Sequence, residues 1–84
     1  MDLFLNAGEM AELFLQPSHT EKDGGFQGLL VAMQRKIDRS TGQIVLDTDE
    51  LERIPRYAFD YKNGGWENRL IAIFSRTLGP KLGR

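Results

Sequence analysis

The chain alternates short apolar runs with amphipathic stretches, and it does so twice. "LFLNAGEMAEL" from Leu3 lines up with "IVLDTDELERI" from Ile44 at an offset of 41, and "DGGFQGLLVAMQ" from Asp23 lines up with "NGGWENRLIAIF" from Asn63 at an offset of 40. In the first pair a three-residue apolar run, Leu3-Phe4-Leu5 or Ile44-Val45-Leu46, is too short for a helix and suits a strand. Each run is followed by a polar residue, Asn6 or Asp47, with Glu9 or Glu50 three positions later. That spacing predicts a capping box, and Leu5 with Met10 or Leu46 with Leu51 fits a hydrophobic staple across the same turn. Helices should therefore begin near residues 7 and 48.

The Gly-Gly pairs open two further helices. Phe26, Leu29, Leu30, Met33 and Ile37 follow helical spacing, as do Trp66, Leu70, Ile73, Phe74, Thr77 and Leu78, so each helix carries one apolar stripe led by an aromatic residue. The first should end near Asp38 and the second at Gly79-Pro80. Gly in both pairs is read as supplying a positive φ and close packing beside Phe26 or Trp66. Pro55, about two turns past its cap, predicts a kink or break followed by a new turn, "PRYAFDY". Residues 16 to 24, "QPSHTEKDG", read as a polar, mobile loop, and "RSTGQ" as the turn into the second apolar run.

Since an isolated short strand leaves its backbone groups without partners, Leu3-Leu5 is expected to pair with Ile44-Leu46. The fold class that follows is mainly α, with four helices, one two-stranded β pairing, and a small α+β character at most. The chain reads as one domain, residues 1–84, made of two strand-helix-loop-helix units at 3–38 and 44–79. An approximate internal repeat of this kind would let two units bury their stripes in one shared core.

Composition narrows the function. With 84 residues, a single core leaves modest net stability. The lack of cysteine removes thiolate chemistry and disulfides and suits a reducing compartment, and no basic leader or long apolar stretch is seen, so cytoplasmic residence without a membrane anchor is the expectation. Net charge is −1 but unevenly placed: residues 1–52 carry a balance of −6 and residues 53–84 one of +5. Such halves either attract one another or present a basic face to an anionic partner.

Catalytic and metal-binding constellations are not found. His19 is the single histidine, in a polar stretch with no base-nucleophile arrangement near Ser18, Ser40 or Ser75. "DRSTGQIVLDTDE" has the flavour of a calcium loop, but counted from Asp38 Gly42 falls fifth and Gln43 sixth, where the motif requires glycine. The Gly-Gly turns lack the Lys and Ser or Thr of a phosphate loop. No catalytic residue, cofactor or metal is assigned, and the chain is read as a non-enzyme.

What remains is the interleaving of Arg53, Arg56, Tyr57, Tyr61, Lys62, Trp66, Arg69 and Arg76, residue types that anchor protein interfaces and also hold phosphates and stack bases. Arg69 and Arg76 are two turns apart on one helix face, with Lys81 and Arg84 beyond. The expected function is a non-catalytic protein-interaction module, binding a protein partner or a second copy as a homodimer through these residues. Nucleic-acid binding by residues 53–84, with "YKNGG" as the turn of a helix-turn-helix, is the alternative.

Overall fold

A computed structural model describes residues 1–82, apart from the side chains of Glu21 and Asp23. Strand β1 (Asp2–Phe4) leads to helix α1 (Ala7–Leu13), helix α2 (Gly25–Lys36), strand β2 (Gln43–Val45), helix α3 (Thr48–Pro55) and helix α4 (Gly64–Leu78). The protein is thus mainly α with one antiparallel strand pair, in which Leu3 lies opposite Ile44. Each strand begins one residue earlier than the apolar run indicates, because the ladder is set by backbone pairing and not by the side chains that fall inward. Leu3, Leu5, Ile44 and Leu46 are buried, whereas Phe4 and Val45 face outward, as a period of two requires.

Both capping boxes form. The Glu9 N–H donates to Asn6 Oδ1 at 2.8 Å while the Asn6 N–H donates to Glu9 Oε1 at 2.8 Å. Asp47 and Glu50 repeat this at 2.8 and 3.0 Å. The two glutamates are buried, and each takes a cation from a helix of the other half: Glu9 from Arg76 and Glu50 from Lys36. The Glu9–Arg76 pair, with Arg69 reaching Glu12 at 3.9 Å, shows where the uneven charge goes: acids of residues 1–52 meet arginines of residues 53–84 within the chain.

The apolar stripes converge on one core, in which Phe26, Leu29, Leu30 and Met33 of α2 meet Leu70, Ile73, Phe74 and Leu78 of α4, with Leu13, Ile37 and Ile54. Helix α4 ends at Gly79 (φ +52), whose N–H reaches the Ser75 carbonyl, before a 3-10 turn over Gly79–Leu82 buries Leu82.

Three local expectations need correction. Pro55 does not break the chain: α3 runs into a π-helical turn, Arg56–Asp60, in a continuous helical path. Proline has no N–H to donate to the carbonyl four residues back, and the wider turn carries the helix on past that missing bond. Residues 16–24 are not one polar loop, because Ser18–Asp23 form a 3-10 helix and Gln16 is buried. The Gln34 amide donates to the Leu13 and Gln16 carbonyls at 3.0 and 2.8 Å, closing the end of α1. Finally, positive φ occurs at Gly24 and Gly25 but at neither Gly64 nor Gly65; before α4 the left-handed residue is Lys62, at φ 55.

Candidate protein-interaction surface

Helix α2, the π turn and the start of α4 bring four rings together. Phe26 stacks on Trp66 with centroids 5.0 Å apart, and Trp66 meets the edges of Tyr57 and Tyr61 at 5.7 and 5.6 Å. Tyr57 and Tyr61 stack at 5.3 Å, so one face of each covers the other. The cluster grades from a Phe26 that is 2% exposed to a Tyr61 that is 53% exposed. Its position follows from the local sequence: Asn63 accepts from the Trp66 N–H at 3.1 Å, capping α4 so that its first turn turns Trp66 back over Phe26.

The arginines named from the sequence divide into three groups. Arg53 lies over the Tyr57 ring, 5.7 Å from its centroid, and reaches Asp49 at 3.4 Å. Arg69 sits 5.6 Å from the Phe26 centroid and donates to Gln16 Oε1 at 2.7 Å and to the Glu12 carbonyl at 3.4 Å. Arg76 donates to both Glu9 oxygens, at 3.1 and 2.7 Å, and to the Phe4 carbonyl at 2.6 Å. Arg69 and Arg76 do share a face of α4, but that face turns to α1 and β1. Of the candidate cations named from the sequence, Arg56 and Lys62 are exposed and make no hydrogen bond or ion pair among the described residues. Lys81 is exposed in the closing 3-10 turn, and Arg84 lies outside the described residues.

Beside the rings runs an open groove of about 500 Å³, lined by Leu51, Pro55 and Phe59 and by Glu52, Arg56 and Asp60. Of these only Arg56 is among the partner-binding residues read from the sequence. The signal for the rest is present in it: both trios recur every fourth residue along α3 and the turn that continues it. A smaller hollow on α1 is formed by Ala7, Met10, Ala11 and Phe14, with the Arg39 guanidinium 4.3 Å from the Phe14 centroid.

Perturbed carboxyl groups lie elsewhere. Burial pushes Glu9 up, but the Arg76 hydrogen bonds, the Asn6 N–H and the Arg76 charge outweigh it, leaving Glu9 below its ordinary range. Asp38 is held low by the Ser40 hydroxyl and N–H, which close the turn before β2. Both shifts belong to structural bonds. Among the described residues no set of three or more His, Cys, Asp or Glu side chains is gathered as a metal site, and no helix is long and apolar enough to cross a membrane.

No family model matches the chain, and no curated protein or solved structure does either.

Proposed function

We propose that the protein is a non-catalytic interaction module that binds protein through the ring terrace of Tyr57, Tyr61 and Trp66, with Arg53, Arg56 and Lys62 around it. The observation that carries this reading is the graded cluster itself. Tyr61 is more than half exposed, yet it is stacked on Tyr57 and abutted by Trp66, which is in turn stacked on the core residue Phe26. An aromatic residue held in this way offers contact area with little side-chain entropy left to lose, the property that makes tyrosine a frequent interface anchor. The lack of cysteine suits a reducing setting such as the cytoplasm.

The same geometry speaks against phosphate as the main ligand. A nucleic-acid surface needs several cations free to displace counterions, whereas Arg53, Arg69 and Arg76 are engaged inside the chain.

The reading is tested with a photoreactive residue at position 61, compared with the same group at the exposed positions Ser18 and Asn68. Protein adducts are expected at 61 alone. With the captured partner purified, Tyr61→Ala is expected to raise its Kd about tenfold or more, the scale of an interface anchor. An unchanged Kd, or equal capture at the control positions, would count against the terrace.

A further inference from the structure

We propose that the groove beside the terrace receives a second copy of this chain, related by a two-fold axis that runs past the π turn. The inference rests on the Tyr61 reading in that it uses the same ring as the inserted group.

Its starting point is an unresolved local charge pattern. Glu52, Arg56 and Asp60 alternate in sign at intervals of four residues along one side of the groove. Spacing of this kind ordinarily favours ion pairs within a helix. Yet none of the three makes an ion pair among the described residues, while Arg53, Arg69, Arg76 and Lys36 all do. Three alternating charges are therefore presented outward beside an apolar floor of Leu51, Pro55 and Phe59.

A pattern of minus, plus, minus is complementary to itself in two antiparallel registers: an axis level with Ile54 pairs Glu52 with the partner's Arg56, and one level with Ala58 pairs Arg56 with the partner's Asp60. If two such segments run antiparallel with the axis at the level of Arg56, arginine meets arginine and acid meets acid. Moving the axis half a turn along, to the level of Ala58, sets Arg56 against the partner's Asp60 and Asp60 against the partner's Arg56. The contact is then isologous, each pair occurring twice, as a closed dimer requires. The same placement sets Tyr61 level with the partner's Pro55. The exposed ring then enters the groove of the other copy over its Leu51, Pro55 and Phe59 side, and the reciprocal insertion follows by symmetry. Charge narrows the contact to two registers, and the one level with Ala58 is chosen because it alone sets Tyr61 opposite a groove residue; the aromatic groups supply the contact area.

The test uses sedimentation velocity on the whole chain. The wild type is expected to form dimers at concentrations up to about 1 mM, the range of a small, weak interface. Arg56→Asp and Asp60→Arg, each alone, bring like charges together twice and are expected to weaken the dimer about tenfold or more. Mixed in equal amounts, the two variants restore both opposite-charge pairs, and heterodimers should return with near wild-type affinity. Arg56→Glu with Asp60→Lys provides a second set, and circular dichroism confirms that each variant is folded.

A wild type that stays monomeric to about 1 mM overturns the second copy as occupant and leaves the terrace to its own cross-linking test. Single variants that lose the dimer without recovery on mixing overturn the proposed register. A dimer that passes the mixing test but is indifferent to Tyr61→Ala supports the charge pairing and counts against the terrace.

Discussion

Replacing Gly42 by alanine is expected to cost about 4 kcal/mol and to lower the melting temperature by some 15–30 °C. Gly42 has φ +80, a left-handed conformation whose cost to a residue with a Cβ is about 1 kcal/mol. The larger share is steric. A Cβ at this position would lie 2.1 Å from the Leu5 carbonyl oxygen and 3.2 Å from its carbon, both backbone atoms with no side-chain rotation available to move them. Nor is the glycine free to withdraw. Its carbonyl accepts from the Leu5 N–H at 2.9 Å and its own N–H donates to the Asp38 carbonyl at 2.6 Å, so the seam between β1 and β2 must part to admit a methyl group. For a chain of 84 residues, with total stability on the order of 4–13 kcal/mol, this leaves little margin. Gly24→Ala is the matching control. It also has positive φ, 66°, with ψ −163°, but nothing lies within 4 Å of the added Cβ, so the backbone conformation alone sets the cost, about 1–3 kcal/mol. Urea unfolding of the two variants measures the difference directly, and equal small losses would show that the strand seam is looser than described.

The second large effect is expected at Glu9. Glu9→Ala removes the reciprocal half of a capping box and leaves the Asn6 N–H without its acceptor, together about 2 kcal/mol or a fall of about 10 °C in melting temperature. The Arg76 contact adds a tie between α4, α1 and the end of β1, although the half-exposed guanidinium is screened by solvent. Acid should act on the same group. The Glu9 carboxyl is lowered in the folded protein, so folding favours its ionised form, and the associated stability is complete above the ordinary glutamate range. It is lost as pH falls through that range, about 4.3, and on below it. Glu9→Gln cannot ionise. The stability gap between wild type and Glu9→Gln is therefore expected to be widest at neutral pH and to close on acidification, as read from denaturant midpoints at a series of pH values. A gap that is constant with pH would remove the charge from the explanation.

Features whose cause is local were the ones legible in the sequence. Asn6 with Glu9 and Asp47 with Glu50 are three residues apart, and the capping bonds each pair makes with itself involve no other element. The stripes of α2 and α4 were legible because burial on a helix repeats at its own period: Phe26, Leu29, Leu30, Met33 and Ile37 are all buried. The bonds of the arginines were not. Arg69 meets a residue 53 positions away and Arg76 one 67 positions away, and nothing beside either residue in the chain names its partner. Grouping them by helix face put Arg69 and Arg76 together correctly, but only the packing of α4 on α1 decides that this face is turned inward. A new turn after Pro55 was legible, but its π form and the unbroken helical path were not, for a related reason. A proline's missing N–H shows where a helix is weakened, while its neighbours decide whether the chain bends or widens. The ring cluster was half legible: Tyr57, Tyr61 and Trp66 stood out by type, but Phe26, 40 residues before Trp66, read only as the head of a core stripe.

If Arg53, Arg69 and Arg76 hold the fold together and the exposed rings meet protein, the surface has few free cations for a phosphate backbone. Trp66 stands within the surface at issue, so its fluorescence, checked with labelled ligands, reports binding there. The decisive measurement is a titration with mixed-sequence single- and double-stranded DNA and with RNA at about 50 and 200 mM salt, where four phosphate contacts correspond to roughly a hundredfold change in affinity. No saturable binding at the lower salt is the result this account requires. Saturable binding that weakens about a hundredfold at the higher salt would contradict it and make the arginines phosphate ligands after all.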